Sequence, residues 1–409
     1  MDPVNFLYGR FYPTLGRGLV LNQFLDEDFR NDNSLFGIRA DIKYFKSQLT
    51  LLAGKPRNIF FEENLYKIKN DTTDQIRGIN LESRLIPKLN FGARYVRVNR
   101  SIDLTPKAFT ELFGGNLGFR CGPFESYVEY AKHLGCHPVI GGRLKGDGLL
   151  ATTGFSIPGF GISLQYVDYD TTGFGGAGYR YNEPPTPIKS GISVNRCLDE
   201  IGYGISISLS PLDFLSIELE NNKTTQHDTN ETWINQTLKM PGQEMAGVLE
   251  QTLKIKTNPT IDLEITVGLD RLIKQQIELG INRKTETKPY GDISYNFGPF
   301  YIEAEYEHNL IRCDTSDFYE PCFTLGIGRP ELFILTLRYE WRNRVPGWLV
   351  PKLGNEKAWP LAELSLDLTN RHNLRIRVGG EKGGLVCSGG VCRFEEPFKG
   401  VKMVLTSIF

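Results

Sequence analysis

The nine residues 261–269 read IDLEITVGL, so that an apolar residue stands at every odd position and Asp, Glu, Thr or Gly at every even one. Because successive side chains of a β-strand point to opposite faces, this pattern predicts a strand with one apolar and one polar face. The same period recurs along the chain, at 36–44, 160–166, 203–209, 300–306, 333–341 and 374–378. No stretch has the pattern of an amphipathic helix, and we therefore expect an all-β fold.

Short and long connections alternate between these runs. Tight turns containing Pro or Gly are expected at 86–88, 121–123, 157–159, 210–213, 297–299 and 328–330. Longer polar connections are expected at 136–147, 168–199, 221–243, 342–357 and 380–397. This layout is typical of outer-membrane barrels, which have short periplasmic turns and long extracellular loops. We therefore predict one domain over residues 1–409, a single large antiparallel transmembrane β-barrel of 18–22 strands. The alternation fails between Pro259 and Phe297, where one strand is missed or misplaced.

A soluble β-sandwich or β-helix is the alternative, since half-buried strands also alternate. About twenty runs are more than a twisted open sheet usually holds. Aromatic residues near strand ends are expected to form interfacial girdles, at Tyr44, Tyr166, Tyr306, Tyr339 and Trp341. The last strand-like run, 401–409, ends on Phe409, which resembles the C-terminal signal by which the barrel-assembly machinery recognises its substrates. Together these features favour the outer membrane of a Gram-negative bacterium.

The composition excludes several classes of protein. The 47 basic and 48 acidic side chains nearly cancel, so net charge gives no reason to expect a nucleic acid partner. With 40% hydrophobic residues the chain is not expected to be disordered. No uncharged apolar stretch approaches the roughly 20 residues of a membrane helix. Residues 1–6 lack the basic and apolar regions of a signal peptide, so an outer-membrane location predicts a mature form or a sequence missing its start.

Three short motifs are more specific: LGRGL at 15–19, DNSLFG at 32–37 and VCSGGVCRF at 386–394. With them the chain resembles a family of uncharacterised, porin-like outer-membrane β-barrels from Bacteroidetes-type bacteria. The resemblance implies a location and a fold, and it implies no reaction. In the first motif, Gly16 and Gly18 are expected to permit a tight bend and a close strand approach beside Arg17.

Six of the seven cysteines stand in pairs around turns or strands, which suits disulfides in an oxidising compartment. The candidate pairs are Cys387 with Cys392, Cys313 with Cys322, and Cys121 with Cys136, and Cys197 is left over. The alternative is a set of reduced thiols in a cytosolic protein. The CxxC spacing of structural zinc sites is absent, so we expect no structural zinc.

The histidines could support chemistry in principle. His133 and His137 with Cys136 form a possible metal cluster, but they lie at a strand end, where helical i,i+4 geometry is not expected. We therefore predict no metal and no cofactor.

A hydrolase at the rim of the barrel would need a histidine beside an acid. His308 follows Glu307, and His227 precedes Asp228. Solvated loops explain both pairs more simply, and we expect no enzyme and no catalytic residue.

Charged residues on the polar faces carry a stronger signal. Arg or Lys at mid-bilayer costs about 2–4 kcal/mol on the lipid side, so these charges are expected to line the lumen. They are Arg39, Asp41, Lys43, Glu82, Arg84, Glu125, Glu129, Asp262, Glu264, Glu303, Glu305, Arg338, Glu340, Arg375 and Arg377. Both signs occur, so no marked ion selectivity is predicted.

A barrel of this size has a lumen too wide for its wall side chains to fill, which favours a channel or porin-like transporter for small polar solutes. The alternative is a structural or interaction barrel, a surface protein or envelope-complex subunit whose lumen is plugged by loops. An outer-membrane hydrolase is the third hypothesis. The expected partners are outer-membrane lipid, the barrel-assembly machinery and, for the second hypothesis, an envelope protein.

Overall fold

The structure is a computed structural model of the chain. It describes residues 3–26, 31–32, 34–56, 59–62, 65–70, 74–84, 86–99, 109–136, 143–170, 181–182, 184–189, 194, 199–228, 230–240, 245–277, 281–314, 316–344, 357–369, 371–382, 384–388, 391–395 and 398–407. Phe409, the proposed insertion signal, and Cys197 lie outside these residues.

Strands make up most of the described chain. The first half contains β1 Val4–Phe11, β2 Thr14–Leu15, β3 Leu21–Asn22, β4 Leu25–Asp26, β5 Asn31–Asp32, β6 Leu35–Tyr44, β7 Ser47–Pro56, β8 Ile59–Glu62, β9 Leu65–Asn70, β10 Gln75–Ser83, β11 Leu89–Asn99, β12 Phe109–Cys121, β13 Phe124–Cys136 and β14 Arg143–Ile157. The second half contains β15 Phe160–Asp170, β16 Asp199–Leu212, β17 Leu215–Thr225, β18 Gly247–Thr260, β19 Leu263–Gln275, β20 Arg283–Phe297, β21 Phe300–Cys313, β22 Ser316–Arg329, β23 Phe333–Trp341, β24 Ala358–Thr369, β25 His372–Glu381, β26 Gly384–Ser388, β27 Val391–Glu395 and β28 Phe398–Ser407.

Within the described residues, twenty of these strands belong to one large sheet, and the other eight form four small two-stranded sheets. The pairings run from β1 to β6, β7 and β10, on through β11, β12, β13 and β14, and again from β19 through β25 to β28, all of them antiparallel. This is the all-β, antiparallel fold class predicted from the sequence, and the twenty strands of the large sheet lie within the predicted range of 18–22. Closure of the sheet into a barrel stays a prediction.

The interruption between Pro259 and Phe297 is resolved by the strand β20. Ile261 and Asp262 form the turn between β18 and β19, and the side chain of Ile261 is 97% exposed. The prediction that 261–269 is all strand is therefore wrong at its first two residues, and Asp262 lies in a turn and not on a strand face. β19 is followed by a connection and then by β20, the strand that the alternation of connections had failed to place.

One helix was not predicted. α1, Trp233–Leu238, lies in the connection between β17 and β18, and the side chain of its N-cap residue Thr232 accepts a hydrogen bond from the amide of Asn235. Such a cap satisfies one of the free N–H groups of the first turn, which lets a single helical turn and a half persist in a loop. In the described part of the chain, no helix combines the length and apolarity needed to cross a membrane.

By its contacts the chain divides into two compact units, each described here by itself. The N-terminal unit comprises Met1–Ile157, Gly161–Ile205 and Asn222–Val248, and the C-terminal unit comprises the remaining residues. Whether 1–409 behaves as one domain stays a prediction.

The strands of the N-terminal unit have two chemically different faces. On β12 and its neighbours, one face carries exposed apolar side chains such as Phe113, Leu117 and Val128. The other face carries Asn116 and Glu129, which are opposite each other in the register. We call these the apolar face and the polar face.

The C-terminal unit repeats this division. Ile265 lies opposite Ile293 on the apolar face, where the exposed residues Tyr306 and Leu337 also lie. The polar face carries the charges, for example Glu264, whose carboxylate is 2.7 Å from the ammonium of Lys256. An exposed apolar face beside an ion-paired polar face is the reverse of a soluble protein's arrangement.

Aromatic residues recur at fixed positions on the apolar face of five strands. Each of these strands follows a short turn and has a tyrosine six residues after its first residue: Tyr95 in β11, Tyr130 in β13, Tyr166 in β15, Tyr306 in β21 and Tyr339 in β23. In four of the five the first residue is a phenylalanine. Six residues correspond to about 20 Å of strand. On these strands two aromatic levels therefore bound an apolar band. That Tyr44, Tyr166, Tyr306, Tyr339 and Trp341 form interfacial girdles stays a prediction.

Two of the three predicted disulfides are wrong. β21 and β22 pair in such a register that Cys313 lies opposite Ser316, and Cys322 lies opposite Glu307, about 20 Å further along the strand. A disulfide requires two Cα atoms within about 7 Å.

Cys121 and Cys136 lie at opposite ends of the β12–β13 pair, opposite Phe124 and Arg143 respectively, and Cys121 is a free thiol. Cys387 and Cys392 face each other in the β26–β27 register. Their side chains lie outside the described residues, and their disulfide stays a prediction.

The orientation of β19 can be tested with nitroxide labels in a cysteine-free background. In lipid vesicles, a label at residue 265 should be relaxed by oxygen, which concentrates in hydrocarbon, because Ile265 lies on the apolar face. A label at residue 264 should be relaxed by a water-soluble nickel complex, because Glu264 lies on the polar face. Electron paramagnetic resonance measures both, and the reverse pattern would refute a lipid-facing apolar side.

Candidate functional site

Residues 12–25, which connect β1 towards β6, fold onto the polar face of the N-terminal unit. We call them the inserted loop. Its strands β2 and β3 pair Leu15 with Leu21, and Leu19, Val20 and Leu21 are completely buried. A Cβ atom added to Gly114 of β12 would lie 2.5 Å from Cγ2 of Val20, so the loop packs directly on the sheet. The hydrophobic core of this unit therefore lies between the inserted loop and the strands.

A buried ion pair lies beneath the tip of the inserted loop. Arg94 of β11 donates to both Glu129 of β13 and the amide oxygen of Asn116. The side chains of Arg94 and Glu129 are 0% exposed. Removing one partner of such a pair leaves an uncompensated buried charge, which lowers the free energy of unfolding by about 3–5 kcal/mol. The pair therefore fixes this part of the polar face.

Arg17 at the tip of the loop completes the network. Its backbone N–H donates to Oε2 of Glu129 at 2.8 Å, and its guanidinium donates to Oγ1 of Thr152 at 2.8 Å. The guanidinium also stacks 4.1 Å from the ring centroid of Tyr127, whose hydroxyl donates to Glu129 at 2.6 Å. Glu129 thus binds two arginines and one tyrosine, and it joins the inserted loop to strand β13.

The first glycine of the LGRGL motif, Gly16, is required because the inserted loop approaches Arg94 closely at this position. Gly16 has a φ of +63°, and a Cβ atom there would lie 1.3 Å from Nη1 of Arg94. The close approach expected at Gly16 is confirmed, and its partner is the buried arginine.

A second segment, residues 181–182 and 184–189, contacts the inserted loop through Tyr181 and Asn182. The backbone of Asn22 donates to the carbonyl of Tyr181 at 2.8 Å. The side chain of Asn182 donates to the carbonyl of Leu19 at 2.7 Å, and the hydroxyl of Tyr181 donates to Asp74 at 2.5 Å. Two long connections therefore cover part of the polar face together.

The predicted lumen charges of the N-terminal unit fall on the polar face, with one exception. Asp41 accepts from Arg39 at 2.9 Å, and it also accepts from Thr50 and Gln48 of the neighbouring strand. The others on this face are Lys43, Glu82, Glu125 and Glu129. Arg84 lies beyond the end of β10 and not on a strand face.

In the C-terminal unit the predicted charges also share the polar face, apart from Asp262. Arg338 donates to Glu340 at 3.2 Å, and Arg375 and Arg377 both pair with Glu363. Glu264, Glu303 and Glu305 lie in register on the same side. That these residues line a lumen stays a prediction.

His227 does not act with Asp228, as the rim-hydrolase alternative required. Its Nδ1 is 2.6 Å from Asp199, and its Nε2 is 3.0 Å from Asp168. It thereby joins the ends of β15 and β17 to the start of β16. Burial alone would lower the pKa of His227, but the hydrogen bonds to Asp168 and Asp199 outweigh it and raise the pKa to about 9. His227 is a charged structural link and not a solvated loop residue.

Sequence reasoning missed most of this site. Arg94, Asn116, Tyr127 and Thr152 stand in four different strands, and no spacing in the sequence relates them to Arg17. The available signals were the glycines of LGRGL and the predicted polar-face charge Glu129. His133 is buried on the polar face, and the side chains of Cys136 and His137 lie outside the described residues. In the described part of the chain, no three His, Cys, Asp or Glu residues are grouped to hold a metal ion.

Comparison with known families gives one match. The model of a family of unknown function, DUF6029, matches residues 2–183, which is less than half of the chain. This span includes the inserted loop and every strand from β1 to β15. No curated protein matches the chain.

Several solved structures are similar to the chain. The siderophore receptor PirA from Pseudomonas aeruginosa is 11% identical, with 92% of this chain and 71% of that chain covered and a TM-score of 0.42. The copper transporter OprC is 10% identical, with 91% and 70% covered and a TM-score of 0.41. The FrpB iron transporter from Neisseria meningitidis, F3-3 variant, is 10% identical, with 87% and 68% covered and a TM-score of 0.38. At this level of similarity they assign no cargo to the chain.

Substitution of Gly16 by alanine tests the loop contact. Gly122 is a matched control, because it has a φ of +56° and nothing within 4 Å of an added Cβ. Gly122→Ala should cost about 1 kcal/mol, the strain of the left-handed conformation alone. Gly16→Ala should cost roughly 2–3 kcal/mol more, because Arg94 must leave its buried partner. Urea unfolding measures both, and equal losses would mean that the loop does not bind Arg94.

The link at His227 predicts a pH dependence. A folded-state pKa of about 9 against an ordinary 6.5 stabilises the fold fully below 6.5, and this contribution is lost as the pH rises through 9. The difference in unfolding free energy between the wild type and His227→Gln should therefore be large near pH 6 and small near pH 10. Urea unfolding at the two pH values measures it. A difference that is the same at both would contradict the charged link.

Proposed function

We propose that the chain is an outer-membrane β-barrel of a Gram-negative bacterium, related to porin-like barrels of Bacteroidetes-type bacteria, and that it passes small polar solutes. The inserted loop would narrow the path. Membrane lipid and the barrel-assembly machinery are its expected partners.

The observation that carries this proposal is the division of the strands into two faces with aromatic levels at fixed spacing. An apolar face that stays exposed over many strands is costly in water, at about 25 cal/mol for each Å². The same face is favourable in hydrocarbon, where tyrosine and phenylalanine rings prefer the interface. Closure of the sheet is then required, because unpaired backbone groups cannot remain in lipid.

Passage of polar solutes is supported by the opposite face. In the C-terminal unit, the charges of this face are paired in short ladders, such as Lys288 with Glu307 at 3.0 Å and Asp270 at 3.8 Å. Side chains paired in this way leave no large field of one sign, so ions of either sign and neutral solutes would be admitted.

The alternative is an interaction barrel whose lumen is plugged. One observation favours it: the inserted loop is held by a fully buried ion pair and by buried leucines, so it does not resemble a loosely attached gate. In that case the barrel would present its long connections to an envelope protein and would pass nothing.

Single-channel conductance in planar bilayers distinguishes the two. The wild type should conduct weakly, and a variant in which residues 14–22 are replaced by a short Gly-Ser linker should conduct several-fold more, because the loop no longer covers the polar face. Arg329→Ala, at the last residue of β22 and outside the inserted loop, is the control and should conduct like the wild type.

Insertion must be checked in parallel by heat-modifiable migration on gels. If folded, inserted wild type and loop-replaced protein are both silent, the channel is refuted and the plugged barrel is favoured.

A further inference from the structure

We propose that α1 is an interfacial membrane anchor: its residues Trp233, Ile234 and Leu238 insert among the lipid headgroups beside the outer wall of strands β15 to β17. This proposal rests on the proposed membrane barrel, and it assigns the lipid contact to a loop and not to the strands.

The first step is the face on which α1 lies. A Cβ atom at Gly204 of β16 would be 3.7 Å from Cβ of Gln165, 2.9 Å from Oδ1 of Asn222 and 3.0 Å from Cβ of Pro187, which belongs to the segment covering the polar face. Gln165 and Asn222 therefore point to the polar face.

Because side chains alternate along a strand, Tyr166 and Lys223 point to the apolar face. Both lie against the helix: Tyr166 lies beside Thr237, and Lys223 donates to the carbonyls of Gln236 and Thr237 at the end of α1. The connection between β17 and β18 thus folds down over the apolar side of the wall.

The second step is how firmly α1 is held there. The ammonium of Lys223 donates to the carbonyls of Gln236 at 2.6 Å and Thr237 at 2.9 Å, and also to that of Lys239. These are carbonyls that the last turn of a helix leaves without partners, and a cation there is favoured by the helix dipole. Lys223 is only 2% exposed, so its aliphatic stem is covered by the loop.

The base of the same loop is fixed as well. His227 is bound to Asp168 and Asp199, and the amide of Gln236 donates to the carbonyls of Asp228 at 2.6 Å and Glu231 at 2.8 Å. A helix of six residues would not persist alone in water. These contacts hold it in one place against the wall.

The third step is what the helix exposes. Trp233 is 63% exposed, Ile234 49% and Leu238 66%. Such an apolar group in contact with water is unfavourable, and contacts that order a loop only to expose it suggest a further partner. Tryptophan with aliphatic neighbours is the composition of helices that lie in the membrane interface.

The level of α1 on the wall identifies lipid as that partner. Tyr166, on which Thr237 lies, is one of the five tyrosines at the seventh position of their strands. Tyr95 and Tyr130 at the same position donate to the acids Glu111 and Asp147, as expected where the apolar band meets the polar surface. α1 is therefore at the boundary of the band, continuous with Leu164 on the same face of β15.

Photocrosslinking in vesicles of phosphatidylethanolamine and phosphatidylglycerol tests the proposal. A photoreactive phenylalanine analogue is placed at Ile234 of the full chain, with one at the exposed polar position Glu231 as control and one at Leu164 on the strand. The Ile234 position should form phospholipid adducts several-fold more often than the Glu231 position, as measured by mass spectrometry.

The three positions separate the possible failures. Lipid adducts at Leu164 but none above the Glu231 level at Ile234 would overturn the anchor and leave the membrane barrel intact. No lipid adducts at Leu164 would refute the barrel itself. Adducts of Ile234 with a second copy of the chain, in place of lipid, would also overturn the anchor.

A further variant tests the attachment. Lys223→Met keeps an apolar stem and removes the charge, so α1 should detach and its adducts at Ile234 should fall several-fold, while those at Leu164 stay unchanged. Unaltered adducts at Ile234 would overturn the role of Lys223.

Discussion

Alternation of side chains across a strand, repeated over twenty paired strands, is the constraint on which this structure depends. In a sheet whose register is fixed, moving any strand by one residue would carry all its apolar side chains to the polar face. The register therefore holds Phe113 and Leu117 on one side and Asn116 on the other, and it does the same for Ile265 and Glu264. Everything that distinguishes the two faces, including the loops that fold on them, follows from this division.

A sheet that exposes its apolar face must build its protein core elsewhere. In the N-terminal unit the core lies on the polar face, where the inserted loop supplies Leu15, Leu19, Val20 and Leu21. Burying these residues beside charged strands requires that the charges be neutralised in place. Arg94 and Glu129 neutralise each other. The backbone N–H of Arg17 donates to the second carboxylate oxygen of Glu129, and its guanidinium donates to the hydroxyl of Thr152. The same contacts that exclude water therefore also attach the loop.

The sequence predicted the fold where alternation was strong and failed where it was weak. β6 and β23 follow their runs closely, because every second residue is apolar. β20 was missed because its apolar face carries Thr285, Thr287 and Pro289, which do not stand out from the polar residues between them. Ile261 fits the alternation by its side chain but occupies a turn, which periodicity alone cannot detect.

The site was less accessible to sequence reasoning than the fold. Its residues come from separate strands, and their proximity depends on pairings between β11, β12, β13 and β14 that no local pattern encodes. The disulfide predictions failed for a related reason, since closeness in sequence was taken for closeness across a loop. Cys313 and Cys322 are nine residues apart, but Cys313 lies opposite Ser316 in the register, so the other cysteine is carried far along the next strand.

Two loops fold back on the strands, one on each face, and each is attached by contacts that suit the chemistry of its face. The inserted loop lies on the polar face and uses glycine for close approach, a buried ion pair for attachment and leucines that are covered completely. The loop of α1 lies on the apolar face and uses the stem of Lys223 for attachment, while it leaves Trp233 and Leu238 uncovered. One chain thus buries its apolar loop residues on the polar face and exposes them on the apolar face. The exposure costs little free energy only if the apolar face lies in a solvent other than water. Hydrocarbon and its interface provide such a solvent, and water does not.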